Sequence, residues 1–321
     1  MILAGDVGGT KANLGLFEEK NGKLSQVTMK RFSSQAYPGL ETIMLEFLRD
    51  EAKGAKVTAA SFGIAGPIVN NTVKATNLPW VVDGGLLAKE LGIGRVRLLN
   101  DLEAAAYGVG VMEPNDLETL HAGTNVTDAN RVVIAAGTGL GEGILFWDGK
   151  HHVPIATEGG HADFAPATDQ QADLWKFLRK SNANVSVELI LAGKGFKRLH
   201  EFLDPSVRHD FDDPSVDAAP GITQRGLAGT CPVCAKTIEL FCEIYGAEAG
   251  NMAVRAVARG GIYVTGGIAV KILPKLKDGR FVAAVRNKEK MGAFLEKIPI
   301  RVVLNEHCPL IGAAYVAWKV L

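Results

Sequence analysis

Two glycine-rich turns carry residue types that could bind a phosphate group. The first, Gly5-Asp6-Val7-Gly8-Gly9-Thr10, lies at the start of the chain, and the second, Gly137-Thr138-Gly139-Leu140-Gly141, lies near its middle. Paired glycines let backbone N–H groups approach an anion, and threonine adds a hydroxyl donor. The first turn alone could equally be a plain hairpin, because no Gly-Lys-Ser/Thr run closes it. Together the turns predict that one polyphosphate is held from two sides, with Asp6 placed to hold Mg2+ directly or through water.

A further glycine pair, Gly266-Gly267, follows an apolar run late in the chain. Backbone without Cβ atoms could let a flat base lie close to it. The alternative interpretation is a simple turn between a strand and a helix.

Asn100-Asp101 is the strongest candidate for a catalytic pair. The two residues end an apolar strand pattern and precede an alanine-rich helix pattern. A carboxylate there could take a proton from a substrate hydroxyl while the amide holds a neighbouring oxygen. Asn and Asp also cap helices well, and without further context the pair favours a cap.

The run Glu158-Gly159-Gly160-His161-Ala162-Asp163 predicts a site for a neutral polyol. Its diglycine turn should bring Glu158 and His161 close together, and no Lys or Arg lies between Lys150 and Lys176. Hydrogen-bond acceptors without a cation suit hydroxyl groups better than phosphate or carboxylate. A metal is disfavoured because no second histidine or cysteine run accompanies His161. A lone structural histidine is the alternative.

Two other motifs suggest metal binding but lack its full pattern. Cys231-Pro232-Val233-Cys234 has no second pair of ligands at zinc-ribbon spacing, so we expect it to begin a helix and to hold neither a metal nor a redox function. Asp210-Phe211-Asp212-Asp213 lacks the glycine and closing glutamate of a calcium loop. We expect a solvated loop there, within an irregular segment from Asp204 to Pro220.

Strands must place these motifs at one sheet edge, and the apolar pattern supplies them. Predicted strands cover Ile2 to Ala4, Val57 to Ile64, Arg95 to Asn100, Arg131 to Ala136 and Ile262 to Thr265. The plan of strand, glycine turn and return strand occurs twice, with return strands at Ala12 to Leu16 and at Gly143 to Trp147. This recurrence predicts two related α/β domains facing a cleft.

Helices are predicted between these strands from apolar residues that recur on one face. The predicted helices cover Leu40 to Leu48, Leu102 to Tyr107, Ile238 to Ala256 and Leu310 to Leu321, the third stopped by Gly260-Gly261. In open α/β sheets ligands collect where strands hand over to helices, so Asn100-Asp101 is well placed.

Length, charge and cysteine content exclude several classes of protein. The 321 residues suggest about two domains. Lys plus Arg equal Asp plus Glu at 35 each, which disfavours binding to nucleic acid or to an anionic membrane. Four cysteines are too few for a disulfide scaffold, and no apolar run approaches the ~20 residues of a membrane span. The start has no basic region typical of a signal peptide, so we expect a cytoplasmic protein.

In combination, these motifs resemble those of the bacterial glucokinases of the zinc-free type, within the actin, hexokinase and Hsp70 ATPase superfamily. The resemblance covers essentially the whole chain and includes Thr76-Asn77-Leu78-Pro79-Trp80 and Val185-Ser186-Val187-Glu188. The run from Glu158 to Pro166 is its most specific part. The repressor, open-reading-frame and kinase (ROK) family is a poorer match, because its cysteine-rich zinc motif follows the histidine and no cysteine lies between His161 and Cys231.

The resemblance implies an α/β fold of two ribonuclease-H-like (actin/hexokinase-type) domains flanking a cleft. The small domain would comprise residues 1–109 plus 305–321, closed by the C-terminal helix, and the large domain residues 110–304. The implied activity is ATP-dependent phosphorylation of D-glucose at O6, with Mg2+ and closure around the sugar. Members are commonly cytoplasmic homodimers, and no nucleic-acid or membrane partner is implied.

The resemblance also implies roles for individual residues. Asp101 would be the general base, and the glucose-binding residues would be Asn100, Asp101, Glu158, His161 and Glu188. The ATP-binding residues would be Gly5, Asp6, Val7, Gly8, Gly9, Thr10, Gly137, Thr138, Gly266 and Gly267. Lys11 and Asn13 stand where many members have Asn and Arg, and Lys11 could supply a phosphate contact.

Three alternative functions stay open at this point. A kinase for fructose, mannose or an N-acetylated amino sugar would carry the same motifs. A sugar-sensing regulator without turnover is a second alternative, which the presence of Asp101 disfavours. A phosphatase of the same superfamily acting on polyphosphate is a third, and it would need more cations near its cleft.

Overall fold

The computed structural model describes residues 1–52, 54–209, 213 and 216–321. The chain divides into two compact units. The first comprises Met1–Pro114, His152–Ala156 and Asn305–Leu321, and the second comprises Asn115–His151 and Thr157–Leu304. The first three residues of the predicted acidic loop, 210–212, lie outside the described residues.

Strands and helices alternate along much of the chain. The strands are β1 (Ile2–Val7), β2 (Lys11–Lys20), β3 (Lys23–Ser33), β4 (Ala59–Ile64), β5 (Thr72–Lys74), β6 (Val81–Asp83), β7 (Val96–Asn100), β8 (Leu117–His121), β9 (Arg131–Ala136), β10 (Leu140–Trp147), β11 (His152–Thr157), β12 (Gly261–Thr265) and β13 (Ile300–Val303). The helices are α1 (Leu40–Glu51), α2 (Gly84–Leu91), α3 (Asp101–Val109), α4 (Asp169–Arg179), α5 (Gly193–Leu203), α6 (Ala218–Leu227), α7 (Pro232–Ala256), α8 (Gly267–Lys271), α9 (Leu273–Leu276), α10 (Arg280–Arg286), α11 (Gly292–Leu295) and α12 (Cys308–Lys319).

Two mixed sheets of the chain share the same plan. The first sheet has the order β3-β2-β1-β4-β7, with β1 and β2 antiparallel and β1, β4 and β7 parallel. The second has the order β11-β10-β9-β12-β13-β8, with β9 and β10 antiparallel and β9, β12 and β13 parallel. The predicted recurrence of strand, glycine turn and return strand is therefore confirmed, and parallel strands extend both sheets beside the hairpins.

Helix α12 covers one face of the first sheet. Its Leu310, Ala313, Ala314 and Ala317 pack with Ile2 and Ala4 of β1. Small residues let α12 approach α3: a Cβ on Gly312 would overlap the Ala104 carbonyl, and one on Gly108 would overlap the Cys308 carbonyl. Close packing of this kind holds α3, and therefore the Asn100–Asp101 junction at its start, against the sheet.

Helix α7 forms the centre of the second unit. Its buried Phe241 stacks on Phe196 of α5 with ring centroids 4.5 Å apart. Its buried Tyr245 reaches the end of β9, where the hydroxyl accepts from the Ala136 amide and donates to the Ile134 carbonyl, both at 3.2 Å. None of the described helices combines the length and apolar character that crossing a membrane requires.

Several predicted boundaries are wrong by a few residues. Helix α7 ends at Ala256 as predicted, but the residue that stops it is Val257, in a left-handed conformation with φ 49°, and not Gly260-Gly261. The segment predicted as irregular up to Pro220 is already helical from Ala218, since the Asp217 side chain caps α6 by accepting from the Ala219 amide. A proline in the first turn of a helix costs no hydrogen bond.

Candidate active site

The junction between β7 and α3 presents Asp101 at the carboxyl end of a parallel strand. Asn100 is the N-cap of α3: its side-chain oxygen accepts from the Leu102 amide at 2.9 Å, and its side-chain nitrogen donates to the Gly66 carbonyl at 3.2 Å. The expected cap is therefore confirmed for Asn100. Asp101 is exposed, and its Oδ1 also accepts from the Leu102 amide at 2.9 Å, which orients the carboxylate.

A chain of side chains positions Asp6 within the same unit. Asn13 donates from its side-chain nitrogen to Asp6 Oδ2 at 3.3 Å, and Arg31 donates from Nε to Asn13 Oδ1 at 2.9 Å. The Arg31 guanidinium also contacts the Glu306 carboxylate at 3.1 Å. Asn13 thus positions Asp6, a role that the sequence did not reveal. Sequence analysis did not identify Arg31 or Glu306.

Burial raises the pKa of Asp6 to about 6; the hydrogen bond from Asn13 opposes this rise and the charge of Asp101 adds to it. Two carboxylates that disfavour each other's ionisation are the kind of pair that a divalent cation relieves. The residues present therefore fit a bound Mg2+.

The first glycine turn is smaller than the predicted motif. Gly5 and Val7 lie inside β1, where Val7 is buried and a Cβ on Gly5 would meet the Phe62 ring. Only the residues from Gly8 to Thr10 form the turn, which is closed by a bond from the Gly8 amide to the Lys11 carbonyl at 2.9 Å. Gly5 and Val7 therefore belong to the strand that leads into the turn.

The second glycine turn is joined to Glu188. Glu188 Oε2 accepts from the Leu140 amide at 2.8 Å, and a Cβ on Gly139 would meet the same carboxylate. The Glu188 amide in turn donates to the Gly160 carbonyl at 2.9 Å. One glutamate therefore ties the Gly137–Gly139 turn to the diglycine turn of the predicted polyol site.

Glu158 and His161 lie close together but are not buried. A short 3-10 turn from Gly159 to His161 brings Glu158 Oε2 to within 4.0 Å of His161 Nε2. Their side chains are 79% and 63% exposed, because the turn projects both from the surface of the unit. Exposure leaves their polar atoms available to a ligand.

A buried carboxyl group lies beneath this turn and was missed by sequence analysis. Glu142 of β10 is 3% exposed, and a Cβ on Gly159 would overlap its carboxylate. Burial, with the nearby Glu248 carboxylate, raises the pKa of Glu142 to about 7 against the opposing charge of Arg255. A Cβ at position 159 would therefore force the Glu142 carboxylate to move.

The third glycine pair follows β12 at the same edge of the second sheet. Gly266 has φ 89°, and a Cβ there would overlap the backbone of Ala136 at the end of β9. Gly267 begins α8 with open space around it. Since β9 leads directly into Gly137, the two glycine turns of this unit are neighbours.

The structure thus brings the predicted residues together within each unit. In the first, Asp6 and Asp101 lie near one another. In the second, Glu188 joins the residues around Gly139 and Gly160. Asp163, whose backbone bridges to Ser186, extends this second group.

The cysteine pair has two histidine neighbours that sequence analysis did not predict. No second ligand pair stands near Cys231 and Cys234 in the sequence, but the fold places His200 and His209 beside them. The spacing gave no signal, because the histidines precede the cysteines by more than twenty residues and come from a different helix and its following loop.

Comparison with known sequences gives one consistent result. The sequence model of the family described as Glucokinase matches residues 3–320. A glucokinase of Trichormus variabilis is 37% identical over 337 residues, covering 99% of this chain and 98% of the relative. A glucokinase of Synechocystis sp. is 36% identical over 349 residues, covering 98% and 97%.

Solved structures show the same fold. A glucokinase from an Antarctic psychrotroph superposes with a TM-score of 0.89 at 28% identity, over 99% of this chain and 98% of that one. A ROK family glucokinase from Streptomyces griseus, in complex with glucose and AMPPNP, superposes with a TM-score of 0.68 at 19% identity, over 99% of both chains. The predicted fold class, α/β with actin/hexokinase-type domains, is confirmed.

Proposed function

The chain belongs to the glucokinase family, and on that premise we propose that it transfers the γ-phosphoryl group of ATP to O6 of D-glucose with Asp101 as general base. The observation that carries this mechanism is the β7–α3 junction. Asn100 caps the helix there, while the exposed Asp101 carboxylate is oriented by the Leu102 amide. A carboxylate held in this way can align a substrate hydroxyl and accept its proton.

In phosphoryl transfer, the protein mainly positions the reactants and neutralises charge. We assign the ATP phosphates to the backbone of Gly8, Gly9 and Thr10 and of Gly137 and Thr138, and the adenosine to the region of Gly266-Gly267. Asp6 would hold Mg2+ through water, and the ion would offset the charge of the phosphates. The Asn13–Arg31 chain fixes the Asp6 carboxylate for that task.

Glu158, His161 and Glu188 would bind the ring hydroxyls of glucose. Glu158 and His161 are exposed and project polar atoms without a cation beside them in the sequence. Oε2 of Glu188 already accepts a hydrogen bond from the Leu140 amide. The other acceptor sites of its carboxylate would bind the sugar. Asn100 would hold a hydroxyl next to the one that Asp101 deprotonates.

The wider parts of the proposal rest on the resemblance. They are a cytoplasmic homodimer, small-molecule substrates with no nucleic-acid or membrane partner, and domains of residues 1–109 with 305–321 and 110–304. Closure of the protein around the sugar is a further part of the proposal. Closure would exclude water from the phosphoryl group.

A panel of sugars in a coupled ADP-release assay tests the proposed substrate. We expect glucose to give the highest kcat/KM among glucose, fructose, mannose and N-acetylglucosamine, with Mg-ATP as donor. A higher value for another sugar would make the protein a kinase for that hexose. Sugar binding without any sugar-dependent ADP would make it a regulator, and either result would overturn the proposal.

A further inference from the structure

Four side chains in the second unit, none of them proposed for catalysis or substrate binding, bring metal-binding atoms together. They are His200 near the end of α5, His209 in the loop that follows, Cys231 at the N-cap of α7, and Cys234 in its first turn. One ligand atom from each residue lies within 4.8 Å of those from the other three. This set is the cluster discussed below.

Two distances within the cluster match those between ligands of one zinc ion. His209 Nε2 lies 3.4 Å from Cys231 Sγ and 3.6 Å from Cys234 Sγ. Zn–S bonds of about 2.3 Å and Zn–N bonds of about 2.0–2.1 Å at tetrahedral angles place sulfur and nitrogen roughly 3.6 Å apart. The rings of His200 and His209 meet edge to face, 5.3 Å between centroids, which leaves neither ring stacked over the other.

The surrounding structure holds the cluster in place. His200, Cys231 and Cys234 are buried, at 3%, 6% and 0% exposed. Pro232 begins α7, so the two cysteines are separated by one helical turn, and the Cys234 amide donates to Cys231 Sγ at 3.4 Å. Helix α6 packs closely on this turn, because Gly226 leaves room for the Cys234 carbonyl. Buried ligands supported by a second layer of contacts are typical of structural metal sites.

We propose that His200, His209, Cys231 and Cys234 form a structural zinc site. Two thiolates and two imidazoles suit Zn2+, whereas Mg2+ and Ca2+ prefer oxygen ligands. Four protein ligands complete a tetrahedral shell and leave no open position for a substrate, so the ion would stabilise the fold and would not take part in phosphoryl transfer. This reverses the expectation that the cysteine pair holds no metal.

The ion would join segments that the chain separates. It would tie the end of α5 and the loop after it to the start of α7, the central helix of the unit. A metal that binds the folded state and not the unfolded chain stabilises the fold by its binding free energy. Loss of zinc should therefore lower the melting temperature without requiring any change at Asp101.

Metal content of the reduced wild-type protein is the first test. Protein without an affinity tag, purified with a thiol reductant from zinc-supplemented medium, should contain about one zinc per chain by mass spectrometry. Replacement by Co2+ should give a thiolate-to-cobalt charge-transfer band and the intense d–d bands of a tetrahedral site. Reduced protein that holds no zinc and takes up neither Zn2+ nor Co2+ would overturn the proposal.

Variants locate the site. Cys231→Ser with Cys234→Ser should abolish zinc binding. His209→Ala, at the half-buried edge of the cluster, should weaken zinc binding, and it provides the test if the double variant fails to fold. Cys242→Ser is the matched control, because Cys242 lies in the same helix outside the cluster and should leave zinc content at the wild-type level. A strong chelator should lower the melting temperature of wild type and of the control. Zinc retained by both cluster variants would contradict the assignment.

A redox function for the cysteine pair is the competing outcome. It would appear as two fewer titratable thiols in protein prepared without reductant, restored by reduction, together with no zinc uptake by the reduced form. That combination would replace the zinc site with a Cys231–Cys234 disulfide. The experiments do not depend on kinase activity, so they stand whether or not the proposed function holds.

Discussion

At the scale of single residues, short motifs revealed Asp6, Asn100 and Asp101 but not the side chains that hold them. Asp6 and Asp101 sit in local patterns of glycine, strand and helix that a sequence displays directly. The contact between Arg31 and Glu306 joins positions 275 residues apart, so no local pattern encodes it. Sequence analysis also missed His200 and His209 beside the cysteine pair, because they too are distant from it in the chain.

Replacing the general base tests the proposed mechanism. Asp101→Asn should lower kcat by about 10²- to 10⁴-fold with much smaller changes in KM for glucose and ATP, because the amide keeps the shape but cannot accept the proton. Glu103→Gln is the matched control, since it removes a carboxylate from the same first turn of α3 and should keep near-wild-type kcat. Near-wild-type kcat for Asp101→Asn would show that Asp101 is an acidic residue at the start of a helix and not the general base.

Removing a sugar-binding carboxylate tests how specificity is built. Glu158→Ala should raise KM for glucose strongly and leave the melting temperature nearly unchanged, because the side chain is exposed and the glycines set the local backbone. The variant should also discriminate less between glucose and the deoxy analogue that lacks the contacted hydroxyl, while KM for ATP barely moves. An unchanged glucose KM would remove Glu158 from the site.

The buried Glu142 predicts a pH dependence of stability. Its pKa is raised from an ordinary 4.5 to about 7 in the fold, so the folded protein binds the proton more tightly than the unfolded chain does. The contribution of the Glu142 carboxyl to the free energy of unfolding is complete below about pH 4.5. It is lost as the pH rises through 7, and the total loss is about 3 kcal/mol. Glu142→Gln should therefore be more stable than wild type at pH 8 and lose most of this advantage by pH 5.

Denaturant unfolding of both proteins across this pH range measures the difference directly. The comparison isolates Glu142, because Asp6, whose pKa is also raised, titrates equally in both proteins. Glu296→Gln, an exposed carboxylate of the same unit, should show no such pH-dependent gain. A Glu142→Gln curve parallel to that of wild type would show that Glu142 does not titrate in this window.

At the scale of elements, apolar periodicity predicted the existence of most strands and helices. It located the strand from Arg131 to Ala136 at its observed bounds and the long helix that became α7. Ends were less predictable, because a non-glycine residue in a left-handed conformation, Val257, stops α7 before the glycines do. The hairpin pairings were predicted, but the order of the parallel strands was not, since their pairing joins residues far apart in the chain.

The crossing of α12 and α3 gives a prediction at this scale. Gly312→Ala should destabilise the protein by about 1–3 kcal/mol, because the new Cβ would overlap the Ala104 carbonyl and force the helices apart. Gly94→Ala is the control: it meets no atom within 4 Å, so it should be neutral or slightly stabilising. Equal midpoints of denaturant unfolding for the two variants would contradict this account of the crossing.

At the scale of the whole molecule, length and the two glycine hairpins predicted two related α/β parts, and the family resemblance carried by the Glu158 to Pro166 run implied a sugar kinase. The repeated sheet plan bears this out, and the family match spans residues 3–320. The cluster of His200, His209, Cys231 and Cys234 shows what such recognition omits. A resemblance transfers the residues of known motifs, whereas a cluster assembled from distant positions emerges only from the fold.

The identity of the product tests the central claim most directly. Purified protein incubated with D-glucose and Mg-ATP should form one sugar phosphate, and phosphorus–proton correlation spectra should place the phosphate on O6, with ADP formed in equal amount. Asp101→Asn under the same conditions should form it far more slowly. A phosphate on another hydroxyl, or ADP released without any sugar phosphate, would contradict the proposal that Asp101 aligns and deprotonates the O6 hydroxyl of glucose.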